Sequence, residues 1–455
     1  MHSLLQLPIY RSISVIVPND SLRNSKSNSS SCSGSPLWPY PALRLHLPFL
    51  NEMLGYSDAP QASDGSSATG GGSSGSLLHD LACACVQSLV QGEWQRSIQL
   101  INALSERASA HGDASERVAS YFRDGLVAWI AAALGESRVS AQLSDTALSA
   151  LYNVMLPISA EESQAAFLSF NQVSPFLRFS HLTANQAILE AIEGWEAVHI
   201  VDVDIMQGVQ WPPFLQALAE RDGGPPRVRI SGVGLNASLL EQTGQRLTTF
   251  ADSLGLPMFE FHSILCDSSQ DLTAQIVERR PREALAMNCM PQLRHMMTRS
   301  GSQGWLLSLL RCTQPTIITL AEQTADYSQV PTERRFRDAY RHYAALFESL
   351  EATLPPLNQE RRLVEEVWLK GEIVNVVSAR EGNIIENQYP RWRELIRENG
   401  FHVVQHSAFA LSQARMLLRL RYPAEGYTLQ EGDDSLLLGW QGVPLFAVSA
   451  WSSSR

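Results

Sequence analysis

Between residues 198 and 353 short apolar runs alternate with helical patterns, and this alternation constrains the fold more than any other feature. The runs are Val198–Ile205, Val228–Val233, Met258–Ile264, Ala284–Met290 and Thr316–Ala321. Helical spacing follows each of them, at 212–221, 238–254, 270–279, 301–312 and 332–353. Strands that are apolar on both faces need cover on both faces, and a helix after every strand supplies it. The pattern therefore predicts an α/β fold with a doubly wound, Rossmann-type parallel sheet.

The chain then changes pattern. Phe401–His406 reads as a strand and 408–420 as a helix. Three short strands follow, Tyr427–Gln430, Leu436–Trp440 and Leu445–Trp451, with turn signals at Asp433–Asp434 and Gln441–Gly442. A doubly wound sheet finished by a C-terminal antiparallel hairpin is a methyltransferase-like layout. In that layout the last strand inserts between two earlier ones, with Trp451 covering the core. Upstream, Leu78, Leu81, Ala82, Cys85, Val86 and Leu89 recur at helical spacing, and further helices run through 195. That block predicts an N-terminal helical cap starting at Leu77. Residues 1–76 are rich in Ser, Gly, Asn and Pro and are expected to be mostly disordered. Within them Leu43–Leu54 forms an apolar island.

Charge narrows the function. The net charge is −11, and residues 1–76 are balanced, so the excess lies in 77–455. An acidic domain lacks the counterion-release term that drives binding to DNA or anionic lipid. Direct DNA binding is thus expected to be weak or absent, and no apolar run is long enough to span a membrane. Arg334, Arg335, Arg337 and Arg341 could line a basic groove, or form a solvated helix face paired with Glu333 and Asp338. Six dispersed cysteines without a CxxC pair read as reduced thiols of a cytosolic or nuclear protein.

The candidate site is VHIVDVDIMQGVQW, Val198–Trp211. A strand, an acid, a loop and a helix form the outline of a nucleotide site, but the loop has one glycine, Gly208. Bulky side chains stand where backbone should approach a ligand. Strand two ends Ile230–Ser231–Gly232–Val233–Gly234, without an acid for ribose hydroxyls. No cofactor is therefore expected. Asp202 is read as a cap accepting backbone amides; the alternative is a paired-carboxylate metal or acid/base site with Asp204. His199 should point away from Val198 and Ile200. There is no nucleophile elbow, zinc motif or P-loop, so no catalytic or metal-ligating residue is assigned. Leu306–Leu307–Ser308–Leu309–Leu310 matches LxxLL but is read as core.

At this point the residues resemble the GRAS family of plant transcriptional regulators. Val198, His199, Ile200, Val201 and Asp202 match its VHIID motif with valine fourth, and Gly208, Gln210 and Trp211 continue it. Pro315, Phe336 and Tyr343 are similar to its PFYRE region, and Trp392, Trp440, Ser449, Ala450 and Trp451 to its SAW region. The resemblance implies one GRAS domain over 77–455. Its parts would be leucine-rich region I and cap at 77–156, VHIID at 167–235, leucine-rich region II at 239–271, PFYRE at 281–376 and SAW at 379–452. One departure is Glu365–Glu366 where the family has an Arg-Glu pair, so the family's ion pairs should differ there. Another is Glu381–Asn387. The resemblance implies a nuclear regulator, with the cytoplasm as a further compartment. It would associate with other GRAS proteins and with DNA-binding transcription factors, with no cofactor. An S-adenosylmethionine-dependent methyltransferase or small-molecule enzyme on the same fold is the alternative.

Overall fold

The computed structural model describes residues 71–453 apart from 157, 267–276, 291–301, 326, 328–330, 356, 380–391 and 423. The expectations for Leu43–Leu54, for most of the helix at 270–279 and for Glu381–Asn387 lie outside these residues. Seven helices come first: α1 Gly71–Val90, α2 Trp94–Ser105, α3 Ala114–Leu134, α4 Glu136–Ser140, α5 Asp145–Met155, α6 Ala160–Val173 and α7 Pro175–Ala191. Helix α1 starts six residues before the expected Leu77, inside the Gly/Ser run. Local polar residues set several of these starts. Asp113 accepts from the Glu116 amide, and Ser159 and Glu162 form a reciprocal capping box.

The alternating region follows as β1 Ala197–Asp202, α8 Trp211–Ala219, β2 Arg227–Gly234, α9 Ala237–Ser253, β3 Phe259–Leu265, β4 Ala284–Cys289, α10 Ser302–Thr313 and β5 Ile317–Gln323. Then come α11 Thr332–Thr353 and a continuous helical stretch, α12 Gln359–Leu363 and α13 Lys370–Ser378, joined through one widened π turn at Val364–Leu369. The chain ends with α14 Trp392–Glu398, β6 Phe401–Val404, α15 Ala408–Arg421, β7 Tyr427–Glu431, β8 Leu436–Trp440 and β9 Val443–Ser453.

The sheet order is β3-β2-β1-β4-β5-β9-β8-β7, with β6 paired to β9. Strands β1 to β5 are parallel, and β9 runs antiparallel to β5. This is the α/β, methyltransferase-like sheet with a C-terminal hairpin expected from the sequence. Two differences from that reading shape the sheet. Strand β1 stops at Asp202 rather than Ile205, because the chain turns over the sheet edge. Strand β9 has three neighbours rather than two: β5 on one side, and β8 then β6 on the other.

One sheet face packs Val198, Ile200 and Ile230 against Trp211, Phe214 and Leu215 of α8 and Leu247 of α9. The other packs Val201, Leu285 and Ile318 against Leu306, Leu309 and Leu310 of α10 and against Trp392 and Trp451. The LxxLL leucines 306, 309 and 310 are therefore core. The helical cap has its own aromatic core, in which Phe122 meets Phe336 edge-on at 5.2 Å and Tyr340 at 4.7 Å. Helices α3 and α13 cross so closely that a Cβ on Gly125 would stand 2.7 Å from Val377 Cβ. Glu365, in the π turn, takes Arg117 Nε at 2.9 Å and lies 3.7 Å from Arg361, while Glu366 pairs with Arg362 at 3.1 Å. Glu365 thus sits in a buried ion cluster with Arg117 and Arg361. Arg335 corrects another expectation: it is buried and donates to the Ala379 carbonyl, while Arg334, Arg337 and Arg341 are exposed.

Strand β9 makes the first prediction. Trp451 is fully buried, donates to Ser449 Oγ at 2.9 Å and lies under the Arg397 guanidinium. Removing such a ring costs about 3–5 kcal/mol, a large share of a domain's roughly 5–15. Trp451→Ala should lower the melting temperature and blunt cooperative unfolding in circular dichroism. Truncation after Gly442 should remove soluble protein, since it strips ladder partners from three strands. A truncated chain that melts like the full one would show β9 to be dispensable.

Candidate functional site

Open α/β sheets bind ligands beyond the C-terminal ends of their strands, where the strand order reverses. Here that place lies at Asp202. The Val203 amide bonds to the Asn288 carbonyl and the Ile205 amide to the Val233 carbonyl, so the chain folds across the ends of β4 and β2. Met206 and Gly208 take positive φ, 45° and 66°, to complete the turn. Gly208 has a second constraint: a Cβ there would lie 2.9 Å from Thr243 Cγ2. Thr243 Oγ1 in turn donates to the Met206 carbonyl at 2.8 Å, which fastens the loop to α9.

A polar network fills the space beneath this loop. Asp202 Oδ2 accepts the Trp211 indole N–H at 2.8 Å, and Oδ1 accepts the Asn288 amide at 3.2 Å. Asn288 and Gln210 exchange amide bonds at 3.1 Å. Gln210 also donates to Asn185 Oδ1 at 3.0 Å, and Thr319 donates to Asn288 Oδ1 at 2.9 Å. All of these residues are buried. Of the residues singled out in the sequence, the structure brings Asp202, Gln210 and Trp211 together here, next to Gly208. Asn185, Asn288 and Thr319 were missed. Asn288 had a signal, as the one amide in the buried strand Ala-Leu-Ala-Met-Asn-Cys.

The reading of Asp202 as a cap on the turn or the following helix is met only for the turn. It accepts one backbone amide, from Asp204, but its main partners are side chains, and Gln210 at the start of α8 makes no capping bond. Burial pushes the Asp202 carboxyl up to about 6, against the pull of Trp211 and Asn288. Asp204 is held well above the usual carboxylate range by burial and by the Asp202 charge. His199 does point away from Val198 and Ile200: it bonds Ser231 Oγ at 2.8 Å on the other face. Burial, aided by Arg229, drops it to about 3, so the imidazole is neutral. Among the described residues no group of His, Cys, Asp or Glu is arranged to hold a metal.

A nucleoside cofactor does not fit these residues. Ile205 packs on Gly232, whose Cβ would lie 2.9 Å from it, and Leu240 crowds Gly234. The ends of β1 and β2 are thus covered by the protein's own side chains, and Asp202 is committed to Trp211 and Asn288.

The remaining motif residues lie elsewhere. Pro315 is buried in the turn before β5. Phe336 and Tyr343 are in the cap, where the Tyr343 hydroxyl donates to Glu372 at 3.1 Å. Trp392 starts α14, and Trp440 meets Tyr427 edge-on at 4.9 Å. Ser449, Ala450 and Trp451 pair with Leu320, Thr319 and Ile318. Next to them Glu322 takes Arg393 at 2.9 Å, and Arg393 and Arg397 both reach Asp434. Burial raises Glu322 to about 7, with Arg393 pulling it down.

The paired carboxylates give a pH prediction. A carboxyl raised from 3.8 to about 6 contributes stability in full below about pH 4 and loses it as pH rises through 6. For Asp202 the full span is worth about 3 kcal/mol at about 1.4 kcal/mol per unit. Asp204→Asn removes a second raised carboxyl and its charge. The variant should therefore gain on the wild type as pH rises from about 5 to 8, read from urea midpoints. A difference independent of pH would refute the coupling.

The GRAS domain family model matches residues 78–452. Scarecrow-like protein 18 of Arabidopsis thaliana is 38% identical over 406 residues, covering 82% of this chain and 91% of that protein. Protein MONOCULM 1 of Oryza sativa subsp. japonica is 38% identical, covering 82% and 88%. The crystal structure of SCL7 in Oryza sativa superposes with a TM-score of 0.69 at 31% identity, covering 82% of this chain and 99% of that one. A family model spanning residues 78–452, relatives matched over nearly their whole length and a shared fold agree: the chain belongs to the GRAS domain family, among plant regulatory proteins of the Scarecrow-like type.

Proposed function

We propose that this protein is a nuclear transcriptional regulator that acts through protein–protein contacts and performs no chemistry. It associates with other GRAS proteins and reaches promoters through DNA-binding transcription factors. One observation carries the non-enzymatic part: the position where this fold would hold a nucleoside is filled by Ile205, Leu240 and the network of Asp202, Gln210, Trp211 and Asn288. The net charge of −11 supports recruitment by a partner over direct DNA binding. The helical block supports association, because it leaves Tyr152, Leu156 and Ile158 exposed at 58%, 64% and 47%. Exposed apolar side chains close together in the sequence suit a protein partner.

Three measurements test this reading. Titration of the full chain with S-adenosylmethionine should give no saturable heat; micromolar binding would favour the methyltransferase reading. Proximity labelling in nuclei should recover transcription factors. The double variant Tyr152→Glu, Leu156→Glu should keep the wild-type melting curve yet retain at least about tenfold less GRAS partner, the loss expected when a charge must be buried at an interface. Full partner retention by that variant would place the association surface elsewhere.

A further inference from the structure

In a chain with 46 acids against 35 lysines and arginines, helix α15 carries Arg415, Arg419 and Arg421 and no acid. It lies antiparallel to α7. Ser407, at its start, donates to Glu190 Oε1 at 2.6 Å, and Tyr422, at its end, donates to the Gln172 carbonyl at 3.1 Å. Glu190 is the only acid on α7, so it sits at the far end of the pair from the arginines. The span from Ser407 to Arg421 is about 21 Å at about 1.5 Å per residue.

Arg178 of α7 joins the arginine end. It is half-buried, and its Nε donates to the Asn171 carbonyl at 2.8 Å, which fixes the plane of the guanidinium. Burial and the like charge of Arg178 hold the Arg421 guanidinium below the usual arginine range. Elsewhere exposed arginines find acids on their own element, as Arg96 finds Glu93 and Arg362 finds Glu366. Among the described residues Arg178, Arg415 and Arg419 pair with none. Attraction to the negative end of a helix dipole accounts for Arg419 and Arg421, in the last turn of α15. It does not account for Arg415, and Arg178 stands in the first turn of α7, where the dipole repels a cation. Leu420, between the last two arginines, is 42% exposed.

We propose that this end of the α7–α15 pair is a docking surface for a short acidic segment of a partner protein, one with an apolar residue among its Asp and Glu. Arg178 and Arg421 take one carboxylate between two guanidiniums, the geometry in which arginine binds an oxyanion most strongly. Arg415 and Arg419, one helical turn apart on the exposed face, take further acids, and Leu420 meets the apolar side chain. Charge complementarity selects this occupant over nucleic acid. Binding to a duplex draws on about 6–10 phosphate contacts, and four arginines on a chain of net charge −11 fall short of that. The inference rests on the reading of the chain as one that works through protein contacts, but it uses α7 and α15 rather than Tyr152 and Leu156 of the α5 region.

The test titrates a dye-labelled peptide of Asp, Glu and Leu with the full-length protein and follows fluorescence anisotropy. Binding should be saturable and should weaken as salt rises from about 50 to 150 mM. The same peptide with Asn and Gln for its acids should not bind. The double variant Arg415→Glu, Arg419→Glu should bind at least about tenfold more weakly with an unchanged melting curve, since both side chains are exposed. Arg421→Lys keeps the charge but loses the planar fork, and should weaken binding at least about threefold. GRAS partner retention by the Arg415→Glu, Arg419→Glu variant should match the wild type, so failure here leaves the association reading standing. Absence of saturable binding, equal binding by the reversed variant, or tighter binding of a short DNA duplex would overturn the proposal. Self-association of the chain that the reversed variant abolishes would assign the surface to a second copy and overturn it as well.

Discussion

The Asn288 side chain is the interaction on which the centre of this sheet depends. A buried amide must satisfy donors and an acceptor, and in a strand otherwise lined by apolar groups few partners are within reach. Asn288 meets the requirement by bonding Asp202 of β1, Gln210 of the loop and Thr319 of β5. It thereby ties β1, β4 and β5 and the start of α8 into one arrangement. Trp211, brought in by its indole bond to Asp202, then covers the sheet face that α8 buries. The loop from Val203 to Gln210 is held where a ligand-binding protein would leave a gap.

The same economy recurs at the C-terminus. Strand β9 supplies one edge to β5 and the other to β8 and β6, so every strand after β5 joins the parallel sheet through it or its hairpin. The acid–arginine network of Glu322, Arg393, Arg397 and Asp434 ties α14 and the β7–β8 turn onto β5. Arg397 lies over the Trp451 ring at 5.4 Å, a cation–π contact that links this network to the core. The residues named by the SAW motif are thus the strand and its immediate supports.

In the cap, shape and charge act together. Glycine at 125 admits the Val377 side chain, and the crossing this permits places Glu365 against Arg117 and Arg361. A buried ion cluster adds little net stability compared with apolar packing, but it penalises any other register of the two helices. Glu365 lies within the π turn at Val364–Leu369 and is buried there.

The sequence by itself determined the order of elements, the parallel sheet and the helical block before it, because apolar periodicity reports burial directly. It also determined that the loop after β1 is a poor nucleotide site, since glycines are either present or absent. Leu306, Leu309 and Leu310 were legible as core for the same reason, and His199 by strand alternation. What the sequence left open depends on partners far along the chain. Asp202 read as a local cap because its partner Asn288 stands 86 positions later, and only the β1–β4 pairing brings the two together. Arg335 looked like its neighbours in an arginine-rich helix until the fold set the Ala379 carbonyl before it. The end of β1, the three-way role of β9 and the pairing of Arg117 with Glu365 belong to tertiary structure as well. Each turns on which buried polar group finds which other, and periodicity carries no information about that choice.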